Sequence, residues 1–155
     1  MHASARHVAQ VLTELGAAGA VRELAESAPT AAAAAAQLGC DVGAIANSLI
    51  FNADGVPLLI LTSGAHRVDT AWIAARHGYS AVKRADPDFV REATGQVIGG
   101  VAPVGHPAPI RTLVDRWLDK YDVVWAAGGH HATVFPTSFE ELLKLTRGEP
   151  ADVAQ

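Results

Sequence analysis

The sequence predicts a single compact α+β domain, built on a mixed, mostly antiparallel sheet with surrounding helices. Three observations carry this reading. Strand-like and helix-like segments alternate without a regular βαβ repeat. Two β-rich runs flank a short loop ending in Asp54-Gly55, a hairpin signal. Half of the 155 residues are apolar and only 18% are charged, enough apolar side chain for one packed core.

Taken in order, Ser4 is placed to cap a helix whose apolar stripe is Val8, Val11, Leu12 and Leu15, ended by Gly16. Val21 to Ala25 reads as a short strand. Pro29-Thr30 opens an alanine helix over 31–36, closed by Leu38-Gly39; alanine is the best helix former and needs no functional account. Ile45 to Phe51 and Val56 to Thr62 are the hairpin strands. The second is apolar without alternation, which predicts that both its faces are covered. A helix follows over about Asp69 to His77, then a short strand over Ala81 to Lys83. Asp86-Pro87 starts another helix that Thr94-Gly95 ends. Ile110 to Val114 and Val123 to Ala127 read as strands joined by Arg116 to Lys120, and Thr133 to Phe135 as a last short strand. Ser138 with Glu141 forms a capping box for a helix to about Thr146, and residues 148–155 read as a loose tail of the one domain spanning 1–155.

Composition excludes several classes of function. No apolar run approaches the ~20 residues of a membrane helix, and no hydrophobic signal core follows the first residues. The single cysteine, Cys40, leaves no internal disulfide and fits a reducing, cytoplasmic setting; beside Leu38-Gly39 it reads as a structural thiol. The formal net charge is −4, from 12 basic and 16 acidic side chains. No basic cluster exceeds Lys83-Arg84, so broad capture of a duplex, DNA included, is not expected; a nucleic acid would be gripped at an end.

The densest chemistry lies in Gly99-Gly100-Val101-Ala102-Pro103-Val104-Gly105-His106. Glycine permits close approach to the main chain and proline fixes its path, so such a loop can present N–H groups to an oxyanion, an ester or a phosphate. It matches neither common nucleotide loop, and a plain tight turn is the alternative. A second glycine loop is Gly128-Gly129-His130-His131. His106, His130 and His131 therefore sit in glycine-rich loops, whereas His2, His7, His66 and His77 read as surface residues. No H-E-x-x-H, cysteine pair or G-x-S-x-G elbow points to a metal or a serine nucleophile. Asn47 shares a strand face with Ile45, Leu49 and Phe51; its amide is either bonded to neighbouring backbone or lines a pocket.

These segments together resemble the YbaK/prolyl-tRNA-synthetase-associated editing domain family, over about residues 4–150 and most densely from Thr94 to His106. The resemblance implies a compact α+β domain that hydrolyses the ester of a mischarged tRNA in trans, with no cofactor, metal or protein nucleophile. Gly99 to Pro103 correspond to the family's G-x-x-x-P loop, so the backbone of Gly99, Gly100, Val101 and Ala102 would polarise the ester carbonyl and Pro103 would support it. His130, with Gly129, resembles the histidine loop that shapes the amino-acid pocket, and His106 either orients the first loop or is structural. Many members carry a lysine on the hairpin's first strand where this chain has Asn47. Hydrogen bonds to charged groups contribute roughly 1.5–3 kcal/mol against about 1 for neutral ones, so the change bears on turnover.

Three functions follow as expectations. The first is a trans-acting aminoacyl-tRNA deacylase whose partners are a tRNA 3′ acceptor end and an aminoacyl-tRNA synthetase. The second is a binding module of the same fold that keeps the pocket and has lost turnover, motivated by Asn47. The third is an unrelated small-molecule esterase.

Overall fold

The computed structural model describes residues 1–155. In chain order its elements are α1 (Ala3–Leu15), β1 (Arg22–Glu23), α2 (Ala31–Leu38), β2 (Ile45–Ala53), β3 (Val56–Ser63), α3 (Thr70–His77), β4 (Val82–Arg84), α4 (Pro87–Thr94), β5 (Arg111–Asp115), β6 (Val124–Ala127), β7 (Thr133–Thr137), α5 (Phe139–Thr146) and β8 (Glu149–Ala151). The connector Arg116–Lys120 is a 3-10 turn.

The hairpin β2–β3 is the centre of the sheet. Asp54 and Gly55 both adopt positive φ, which matches the twist of the flanking strands. Asn52 accepts the Gly55 N–H at 2.7 Å, and the Asp54 carboxylate accepts the N–H groups of Ser80 and Ala81. The turn thereby anchors β4 as well as closing the hairpin. The strand order is β1-β7-β6-β2-β3-β5-β8, with β4 on β2. The pairings of β2 with β3 and β4, and of β7 with β1 and β6, are antiparallel; those of β2 with β6, and of β5 with β3 and β8, are parallel.

Both faces of β3 are covered, as its unalternating sequence predicts. Leu59 and Leu61 join Ala46, Ile50, Val114, Phe135 and helices α1, α4 and α5 in one apolar cluster. Leu58 and Ile60 join Phe51, Leu113 and α3 in a second. The first cluster also takes in Val101, Ala102 and Val104, so the glycine loop is rooted in the core.

Two local expectations are corrected. The cap of α1 is His2, whose Nδ1 accepts the Ser4 N–H at 3.1 Å; Ser4 lies inside the helix. Residues 148–155 are not a loose tail. Glu149–Ala151 adds a parallel strand to β5, Ala151 and Val153 are buried in the second cluster, and the Val153 carbonyl accepts the Asp69 N–H at the start of α3. Three residues around Pro150 carry little strand signal, and parallel pairing is non-local.

Val153→Ala removes two buried methyl groups and is expected to cost about 1–2 kcal/mol in urea unfolding; wild-type stability would show that the C-terminal segment does not contribute to the core.

Candidate functional site

β2 meets β6 only at Ile45 and Ala46 and meets β4 only at Phe51 to Ala53. The edge from Asn47 to Ile50 therefore has no strand beside it. A cavity of about 850 Å³ occupies that gap, and its lining includes Asn47, Ser48, Arg67, Arg84, Gly99, Val101, Trp125, His130 and His131. No Asp or Glu lines it, although the chain as a whole is acidic.

The glycine loop reaches this cavity because it is tied from behind. Buried Gln96 accepts the Ala102 N–H through Oε1 at 2.7 Å and donates through Nε2 to the Val104 carbonyl at 3.2 Å. His106 Nε2–H donates to the Ala102 carbonyl at 2.9 Å, and His7 Nε2–H donates to the Gly105 carbonyl at 3.1 Å. Burial pushes the His106 pKa below its ordinary value, against the raising effect of the carbonyl, so the ring is a neutral donor at pH 7. His106 thus braces the loop and does not line the cavity. The Gly100 N–H is bonded to the Val97 carbonyl at 3.3 Å. Of the four residues read from sequence as one polarising surface, Gly100 and Ala102 have their N–H groups bonded internally. Those of Gly99 and Val101 remain, on the two loop residues that line the cavity. Ala102 and Pro103 are buried behind them.

The second glycine loop abuts the first. A Cβ on Gly100 would lie 2.6 Å from the His130 carbonyl carbon and 2.7 Å from the His131 nitrogen, so only glycine allows the two backbones to touch. Gly129, at φ +100°, is pressed against α1: a Cβ there would meet the Ser4 carbonyl at 2.8 Å. His130 accepts the Ala132 N–H at Nδ1, which places its proton on Nε2 in the neutral form. Its ring stacks on His2 at 4.5 Å and lies 4.0 Å from His131. Desolvation, then the neighbouring imidazoles, lower its pKa. His130 lines the cavity; Gly129 shapes the loop from outside it.

Asn47 is half-buried in the cavity wall and its side chain makes no hydrogen bond within the chain, so the backbone-bonded alternative is not what the fold uses. It shares its face of β2 with Ile45, which packs on α2, whereas Ala46 and Ile50 face the cluster that holds Val101. Ser48, by strand alternation, lies on the glycine-loop side.

Sequence reading missed Ser48, Arg67, Arg84 and Trp125, and placed His131 in the second glycine loop without a role. Arg84 was hidden by a strand boundary drawn one residue short; β4 sets it opposite Phe51, whereas Lys83 pairs with Asn52 and does not line the cavity. His2 and His7 are exposed, yet both touch the site loops. His66 lies elsewhere, its Nδ1 2.8 Å from the buried Asp115 carboxylate.

Fold and cavity together define an α+β domain with a cleft at the edge of its central strand, lined by two abutting backbone loops. The chain belongs to the aminoacyl-tRNA editing domain family, whose profile matches residues 25–145. It is 29% identical over 127 residues to the uncharacterized protein YwhH of Bacillus subtilis, covering 81% of this chain and 80% of that one. It is 30% identical over 95 residues to the proline–tRNA ligase of Nitratidesulfovibrio vulgaris, covering 61% of this chain and only 16% of the ligase. A crystal structure of a protein proposed to be a trans-editing enzyme for prolyl tRNA synthetase superposes with a TM-score of 0.92 at 39% identity, covering 100% of this chain and 99% of that one.

Two outcomes test the loop geometry. Gly100→Ala forces the loops apart and is expected to cost about 1–3 kcal/mol, with shifted His130 and His131 amide resonances; an unperturbed spectrum would disprove the contact. For His106, the folded pKa lies below the unfolded value near 6.5. The unfolded chain therefore binds more protons between the two, and stability falls as pH drops through that window. Urea unfolding at pH 7.5 and 5.5 is expected to show a smaller loss in His106→Gln than in wild type.

Proposed function

We propose that this chain is a trans-acting aminoacyl-tRNA deacylase, hydrolysing the ester of a mischarged tRNA as a proofreading step in translation. The observation that carries this reading is the acid-free cavity: Arg67 and Arg84 bring positive charge to a cleft that is also lined by Gly99 and Val101, whose amides have no partner in the chain. Family membership and likeness to a proposed trans-editing protein support it. A tRNA 3′ end is the one part of the molecule this chain needs to hold, in keeping with its lack of a basic face.

In this mechanism the arginines hold terminal phosphates and the Gly99 and Val101 N–H groups polarise the ester carbonyl. Water adds to that carbonyl, the bond to the ribose oxygen breaks, and the proton returns to the ribose hydroxyl. An aminoacyl ester is activated, so positioning and polarisation suffice without a protein nucleophile. Asn47 positions the substrate and His130 forms the pocket wall. The partners are tRNA and an aminoacyl-tRNA synthetase that makes the mischarged product, in the cytoplasm.

The second reading, a binding module without turnover, is favoured by Asn47, which brings no charge where many family members carry lysine. A panel of tRNAs charged with alanine, serine, threonine, cysteine or proline separates the two. Ester loss above buffer for at least one is expected, and Arg84→Ala is expected to raise KM several-fold with kcat little changed. No loss with any of the five would defeat the deacylase reading for this panel; activity appearing only in Asn47→Lys would establish the binding module.

A further inference from the structure

Resting on the deacylase reading, the geometry points to the open edge of β2 at Ser48 as the recognition site for the substrate's free α-amino group. The ladder decides which residues face this edge. The Ile45 carbonyl accepts the Gly64 N–H at 2.8 Å, and the Asp54 N–H donates to the Ala81 carbonyl at 3.1 Å. Alternation along an antiparallel strand then turns the backbone groups of Asn47, Leu49 and Phe51 toward β3, and those of Ala46, Ser48, Ile50 and Asn52 away from it. β6 covers Ala46 and β4 covers Asn52. Ser48 lies between them: no strand pairs with it on this side, and no turn or loop bond involves its N–H or carbonyl.

Its side chain is unmet as well. The Ser48 Oγ is buried without any hydrogen-bond partner, although the residue lines the cavity. A buried hydroxyl left unpaired costs free energy, and the unpaired backbone groups of the same residue lie beside it at the open edge. A fold that leaves three polar groups of one residue unmet in a cavity wall is set up for a ligand that meets them.

The chemistry of the ligand follows from what the wall lacks. An aminoacyl ester carries an α-ammonium with three donors, and no carboxylate lines this cavity to pair with it. Neutral acceptors must take those donors, and the Ser48 carbonyl and Oγ are two of them on one residue. The ammonium and the adjacent carbonyl of the substrate repeat the donor and acceptor order of a strand residue, so the aminoacyl group adds to the edge as a short strand would. Ser48 also faces the glycine-loop side of β2, the side from which Gly99 and Val101 approach the ester. Ser48 is thus a positioning residue that reads the amine, and acylated amines are rejected by losing these donors.

Non-hydrolysable 3′-amide analogues of alanyl- and seryl-adenosine, each with a free and an N-acetylated amine, test this by calorimetry and amide NMR. The free-amine form is expected to bind about tenfold tighter, shifting the Ser48 and Ile50 amides. Ser48→Ala is expected to weaken the free-amine analogue about fivefold, leave the acetylated one unchanged, and keep or raise the melting temperature of the unliganded protein. Removing an orphaned hydroxyl relieves the fold, so loss of affinity with no loss of stability separates ligand recognition from a structural role. Equal binding of the two forms, or equal weakening of both by Ser48→Ala, would overturn the amine assignment and leave the deacylase reading standing. Failure of wild type to bind any analogue, together with no ester loss across the tRNA panel, would overturn both.

Discussion

Strand β2 is bonded to β3 along its whole length, but on its other side only at its two ends. That single asymmetry makes the cavity. β6 pairs no further along β2 than Ala46 and β4 ends beside Phe51, so the sheet has a slot rather than an edge. Continuous pairing with β3, itself buried on both faces, keeps the slot from collapsing. An isolated strand with a free middle would recruit any chain that met it. Here the opening is bounded by rigid strands at both ends, and only a small group can enter.

The wall opposite the slot is rigid for a different reason. A loop of glycine and small apolar residues has no intrinsic stiffness, since glycine loses more conformational freedom on ordering than any other residue. Stiffness is supplied from behind, by the amide of Gln96, the rings of His106 and His7, and the burial of Val101, Ala102 and Val104. Gln96 takes the Ala102 amide and the Val97 carbonyl takes that of Gly100, which leaves the amides of Gly99 and Val101 without a partner in the chain. Preorganised donors of this kind cost no rearrangement at the moment charge develops. Helix α1 contributes to both loops at once, through His7 on one and Ser4 and Val8 against Gly129 on the other.

Much of this was legible in the sequence, and what was not has a common cause. The hairpin was readable because Asp54-Gly55 states its turn chemistry locally; β3 was readable because an unbroken apolar run means two covered faces. The helices carried their own caps, with α1 differing only in that His2 replaces Ser4. Gly99 to His106 stood out by composition, and the resemblance to an editing family rested on it. Partition of that loop into bonded and free amides was invisible, because it depends on where Gln96 reaches and on how the chain turns after Val97. The slot was invisible too. Strand alternation marks Asn47 as a polar residue in an apolar row, but it cannot say that β6 pairs no further along β2 than Ala46 and leaves Ser48 bare. β8 was missed for the same reason: its pairing partner, β5, is remote in sequence and parallel to it.

Asn47 bears differently on function once the charges around the slot are located. A lysine on β2 would put a cation inside the wall, where a long side chain must be held and partly desolvated. This chain places its cations instead on Arg67 and Arg84, both exposed at the cavity and paired with no carboxylate. Arginine stays charged at any working pH and meets a phosphate with two parallel donors, so it grips a nucleic-acid end without burial. The grip of exposed cations is screened by salt, whereas hydrogen bonds at the buried slot are not. On the proposed function, a division of labour follows: the rim would capture the anionic end through long-range attraction, and the neutral groups of Asn47 and Ser48 would sort what is attached to it.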